Sequence, residues 1–221
     1  MRVVCLILGA ALLLGASAHA ADSAKPAKSA APKTITGPQL DEQDREAIRK
    51  AETYLNALTT LKARFLQVTD LGHTRQGTFS LKRPGKMRID YDAPIKDFVV
   101  ADGKFVYFWD AELKQQQNAP IGSTMADVIL RPELKLSGDV TVTDVQRDAG
   151  VVDIGLVDSK EPGKGKLTLV FEENPFQLRK WKVLDATGAT TEVSLSDLQP
   201  GAKLDDEQFY FRDPNRRKER D

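Results

Sequence analysis

The chain has 221 residues, with 32 Lys and Arg against 32 Asp and Glu, one Cys and two His. Balanced charge argues against a nucleic-acid or anionic-membrane footprint. The length allows one domain with a substantial core, and so few Cys and His leave little scope for thiol, metal or triad chemistry.

Residues 1–20 open on Arg2, run apolar from Val3 to Leu14 and end on Ala18-His19-Ala20, a small-x-small cleavage site. They predict a cleaved secretory signal peptide, and hence export. The apolar run is short for a membrane span, an uncleaved anchor being the alternative. Cys5 lies far from the cleavage point, where a lipid-anchored protein would need it. Cleavage removes the sole Cys, so no disulfide, thiolate nucleophile or cysteine metal site is possible within one mature chain. His73, in a turn-like Leu71-Gly72-His73-Thr74 context, reads as a solvated turn residue and not a catalytic one.

Residues 21–38 are rich in Ala, Lys, Ser and Pro and predict a disordered linker. A single domain is expected over 39–213, followed by a charged tail at 214–221. The domain begins with a helix from Asp41 to about Leu61. Asp41 is its cap, and Ile48, Ala51, Leu55 and Leu58 recur at helical spacing beside Tyr54 and Leu61.

From Lys62 onward the pattern is strands, at 62–70, 74–83, 86–92, 95–101, 104–109, 112–118, 139–147, 150–158, 165–172, 176–185 and 189–197. Short strands with tight turns predict an antiparallel meander that closes into a barrel or half-barrel. Eleven of them are too many for a flat sheet, so strong curvature is expected. The clearest stretch is Gly77 to Tyr91. Phe79, Leu81, Met87, Ile89 and Tyr91 share one parity, Thr78, Ser80, Arg88 and Asp90 the other, and Pro84-Gly85 breaks the run. Arg83 has the parity of the apolar set, so its guanidinium needs a partner.

One insertion, Ala119 to Gly138, interrupts the strands. Ser123 or Thr124 can cap a short helix carrying Met125, Val128 and Ile129, which Pro132 should stop. Such a helix belongs at the mouth or in the interior of the barrel, either as a core plug or as a movable lid. Asp206 to Arg212 carries Phe209 and Phe211 in alternation and predicts a last strand or docking segment.

Every strand offers one apolar face, including Phe98 and Val100, Phe105, Tyr107 and Trp109, and Leu167, Leu169 and Phe171. With one long helix and one short one as cover, the sheet either fills its own interior or leaves a cavity. There is no HExxH, GxSxG or P-loop, so an enzyme is not expected, nor any cofactor or metal.

Several features occur together and in order. A leader without a lipid-attachment Cys is followed by Leu61-Lys62-Ala63-Arg64-Phe65-Leu66-Gln67 and by Gly77-x-Phe79-x-Leu81-x-Arg83-Pro84. Then come Val100-x-Asp102-Gly103-Lys104-x-x-x-x-Trp109 and a closing Phe209-x-Phe211. Over about Asp41 to Pro214 the chain resembles the periplasmic outer-membrane lipoprotein carriers of the LolA type. The resemblance implies a mainly β fold, an incomplete antiparallel barrel of eleven strands with a helical lid over a hydrophobic cavity. It implies a periplasmic, monomeric chaperone that takes lipoproteins from an inner-membrane ABC transporter to an outer-membrane receptor. Arg83 falls on the family's lid latch, which holds the empty carrier shut. The cavity wall would comprise Leu55 and Leu58 of the helix, then Phe79, Leu81, Met87, Ile89 and Tyr91. Phe105, Tyr107 and Trp109 would continue it, and Met125, Val128 and Ile129 would cover it from the lid. Two departures stand out: Met87, Ile89 and Tyr91 replace the family's aromatic residues after Arg-Pro, and the ending Asn215-Arg216-Arg217 is charged. The alternatives are a general periplasmic binder of hydrophobic ligands and an envelope sensor module.

Overall fold

A computed structural model describes residues 40–216, so the expected signal peptide, the expected linker and the last five residues of the tail lie outside the described residues. Helix α1 spans Glu42–Ala57. Asp41 caps it: the Asp44 N–H donates to Asp41 Oδ1 (2.7 Å) and the Asp41 N–H to Asp44 Oδ2 (3.0 Å). This reciprocal box satisfies donors that a helix start leaves unpaired. The helix stops four residues short of the expected Leu61, because the chain turns extended at Leu58 and Leu61 enters the first strand.

Eleven strands follow: β1 (Thr60–Thr69), β2 (Thr74–Lys82), β3 (Lys86–Tyr91), β4 (Phe98–Asp102), β5 (Phe105–Asp110), β6 (Gln115–Pro120), β7 (Val140–Asp148), β8 (Val151–Asp158), β9 (Gly165–Glu173), β10 (Phe176–Asp185) and β11 (Thr190–Pro200). They form one antiparallel sheet in the order β6-β5-β4-β3-β2-β1-β11-β10-β9-β8-β7. The first and last strands pair in its middle, with Phe65 opposite Leu195. The sheet is therefore open, with β6 and β7 as its free edges. Residues 121–139 bridge those two edges and carry a 3₁₀ turn, Ile121–Ser123, and helix α2, Asp127–Leu130.

Curvature turns one face into a trough. The rings of Phe79 on β2 and Trp181 on β10 lie 5.3 Å apart. Those strands are separated by β1 and β11, which at about 4.8 Å per strand is roughly 14 Å along the sheet. Register shifts at Lys62/Arg64, Leu178/Lys180 and Val142/Asp144 mark bulges that increase the local twist. Gly77 serves the same end. It sits opposite Phe65 on one side and Tyr91 on the other. A Cβ there would meet the Phe65 ring at 2.6 Å, so its absence lets the two rings meet edge to face at 5.5 Å. α1 lies in the trough, with Ala47, Ala51, Leu55 and Leu58 buried and Tyr54 edge-on to Phe171.

Of the two readings of 206–212, a last strand or a docking segment, the structure has the docking segment. Asp206–Phe209 forms a 3₁₀ helix, capped by Asp205 accepting from the Glu207 N–H (3.0 Å). It packs against β3 and β4 on the outer, convex face. Those strands already pair on both sides, so no edge was left for another strand.

Candidate hydrophobic cavity and its lid

The trough is lined by alternate residues of each strand. Phe79 and Leu81, Met87 and Ile89, Val152, Ile154 and Leu156, and Leu167, Leu169 and Phe171 all belong to one buried cluster with Leu55 and Leu58. The lid adds Val128 and Leu130 as buried members, with Met125 and Ile129 packed against them. Tyr91 packs against the cluster, and its hydroxyl donates to Gln67 Oε1 (2.9 Å). Burial pushes its pKa up to about 12, so it stays a neutral donor.

A void of about 20 Å³ survives between sheet and lid, lined by Phe79, Met87, Met125, Ala126, Ile129, Leu167, Trp181 and Val183. That is room for about one water, in a lining with nothing to hold one. Two larger hollows, about 510 and 440 Å³, flank α1. They are edged by charged side chains such as Arg45, Arg49 and Lys50, and floored by Leu136, Val140 and Val142 in the first and by Ala47, Val152 and Phe176 in the second.

Polar groups hold the lid. Arg83 lies just past the end of β2, in the turn to β3. Its Nη1 donates to the Leu55 carbonyl, and its Nη2 to the carbonyls of Arg131 (2.6 Å) and Pro132 (3.5 Å). One guanidinium thus ties the last turn of α1 to the end of α2. A cation there also suits the negative end of a helix dipole. Desolvation lowers the Arg83 pKa from its ordinary value, and its Nε, buried, has no partner among the described residues. An unpaired buried donor is a cost, so the closed arrangement is held but not optimal. Two residues on, the Gly85 N–H donates to the Leu130 carbonyl (2.8 Å). Gly85 has φ +79°, and a Cβ there would meet Gly103 Cα at 2.9 Å. Only glycine brings this turn under the lid without strain.

The family model for the outer membrane lipoprotein carrier protein LolA matches residues 56–212. The chain belongs to that family. It is 32% identical over 174 residues to an outer-membrane lipoprotein carrier protein of Methylococcus capsulatus, covering 75% of this chain and 83% of the relative. It is 30% identical over 180 residues to one of Pseudomonas aeruginosa, covering 76% and 84%. Among solved structures it is similar to a LolA superfamily protein of Nitrosomonas europaea, at 11% identity and a TM-score of 0.45 over 76% of this chain and 97% of the other.

Three residues expected in the wall of this LolA-family trough lie elsewhere. Phe105, Tyr107 and Trp109 face outward on β5, and Val106 and Phe108 face the interior. The register explains this: Tyr107 sits opposite Val100 and Trp109 opposite Phe98, the outward pair of β4. Phe211 stacks on Tyr107 (5.0 Å) and contacts Phe98 and Trp109. Phe105 is 37% exposed at the rim of that outer cluster.

Sequence reasoning missed Trp181 and Val183 in the lining, because the bulge at Leu178/Lys180 shifts the parity of β10 midway. It also missed Glu52 and Asn56. On a helical wheel they sit among charged residues and read as solvent-facing, yet both bond the lid connection.

Proposed function

We propose that this chain is a periplasmic chaperone that shelters the acyl chains of lipoproteins. It accepts them from a lipoprotein-releasing ABC transporter of the inner membrane and passes them to an outer-membrane receptor. One observation carries this reading: an apolar trough, sealed by a short helix that is held through hydrogen bonds to backbone carbonyls.

A lipoprotein anchor carries three acyl chains. Exposing them to water costs about 0.8 kcal/mol per CH₂, tens of kcal/mol in sum. A carrier must remove them from water and still let them go. The void under the lid, about 20 Å³, holds none of that load, so α2 must lift for cargo to enter there. Lifting it breaks the Arg83 and Gly85 bonds, and that cost is subtracted from cargo affinity. A tight store thus becomes a relay. The chain works as a monomer, without a catalytic group, a cofactor or a nucleotide of its own; the transporter supplies the energy. The outward face of the sheet takes no part in holding lipid.

Incubation of the purified protein with spheroplasts tests this. Release of soluble lipoprotein–carrier complexes is expected. Binding of free lipid without any released lipoprotein would instead make it a general binder of hydrophobic ligands.

A further inference from the structure

The lid connection is held in two places, and the second does not involve Arg83. Glu52 and Asn56 stand four residues apart, on one face of α1. Asn56 Nδ2 donates to the Leu134 carbonyl (2.9 Å), and the Leu134 N–H donates to Asn56 Oδ1 (2.8 Å). An amide side chain carries a donor and an acceptor side by side, and so serves both backbone groups of one residue. Two residues on, the Leu136 N–H donates to Glu52 Oε1 (2.7 Å), a bond strengthened by the carboxylate charge. The Leu134 and Leu136 side chains are buried in the core cluster. Arg83, which also bonds the Leu55 carbonyl of α1, and Gly85 by contrast reach the lid only at the end of α2, at Leu130, Arg131 and Pro132.

We propose that Glu52 and Asn56 are positioning residues that form a second, independent latch, pinning residues 134–136 to α1 while Arg83 and Gly85 hold α2. The lid then opens by swinging α2 about residues 132–133, with the strap still attached to the helix. Its purpose rests on the carrier reading: a fixed strap limits opening to one short helix. It also keeps the bridge between the two free sheet edges in place, so the lid recloses in register. Two latches that share no atom can be released one at a time.

Residue-resolved amide hydrogen exchange on the empty protein tests this, because each latch has its own reporter. The Leu134 and Leu136 amides report the strap, and the Gly85 amide reports α2. Asn56→Ala should speed exchange at Leu134 about tenfold and leave Gly85 within about twofold. Arg83→Leu should do the reverse. Equal acceleration at both reporters in either variant would make this one latch and overturn the proposal, as would no change at Leu134 in Asn56→Ala. If Asn56→Ala fails to fold, Glu52→Ala removes a single acceptor. It should speed Leu136 about tenfold without moving Gly85, and any other pattern overturns the proposal. No cargo is present, so failure to release lipoprotein from spheroplasts would sink the carrier reading and leave this result standing.

Discussion

The sheet has two covered faces, and their covers are built differently. Inside the trough, the lid end at Leu130 to Pro132 is held by donors from Arg83 and Gly85, above a small apolar void. Outside, the C-terminal segment inserts Phe209, fully buried, and Phe211 stacks on Tyr107. There Lys82 and Lys86 pair with Asp206 (3.0 and 2.7 Å), and Arg88 donates to the Gln208 carbonyl (3.0 Å). The outer cover fills its site with its own aromatic rings, so nothing gains by replacing it. The inner cover leaves a void of about 20 Å³ above the trough, and in the proposed carrier role it lifts to admit acyl chains. One is a seal and the other a door.

The largest expected effect lies on the seal. Phe209→Ala should cost about 3–5 kcal/mol of stability, read as a drop in thermal midpoint, since it empties a fully buried site. Lipoprotein uptake per folded molecule should not change. If uptake fell with stability intact, the two faces would not be separable.

Arg83→Leu comes next and acts on the door. It removes charge-assisted bonds worth about 1.5–3 kcal/mol each, some of which cargo binding must break. The variant should still accept lipoprotein but pass it on at least about tenfold more slowly. Transfer at the wild-type rate would end the latch role.

The ion pairs of the seal are worth less. Hydrogen bonds from Lys86 and then Lys82 lower the Asp206 pKa. A lowered folded-state pKa adds stability above the unfolded value, about 3.9, and loses it as pH falls through that range. From about pH 6 to pH 3, the thermal midpoint of Asp206→Asn should therefore fall less than that of the wild type. An equal fall would remove the pair from the seal. Smallest of all, Phe105→Ser should change stability by less than about 0.5 kcal/mol and leave transfer untouched, because this ring sits at an outer rim.

How far these faces are legible in the sequence depends on the strand. In β2 and β3 one parity is apolar and the other polar, so the inward set from Phe79 to Ile89 is readable at once. β5 is apolar at both parities, and alternation cannot choose between Val106 with Phe108 and Phe105 with Tyr107 and Trp109. The choice is made by pairing with β4 and by the C-terminal cover, both distant in sequence. Arg83 is legible as a charge that needs a partner. The partner is not legible from the residues themselves, because it is backbone carbonyl, which every residue carries; the family resemblance is what points to the lid. Asn56 and Glu52 hide for the same reason. The eleven strands are legible because their turns are, whereas the bulge that reorients Trp181 leaves no mark in composition.

The two tryptophans of the chain stand on opposite faces, Trp181 against the void and Trp109 in the outer cluster. Each can be isolated by changing the other to Phe. A triacylated lipopeptide with brominated acyl chains, titrated into each variant, reports which face the chains meet. Strong quenching in Trp109→Phe, where only Trp181 emits, and little in Trp181→Phe is the expected result. Quenching of Trp109 with Trp181 unaffected would contradict the carrier account.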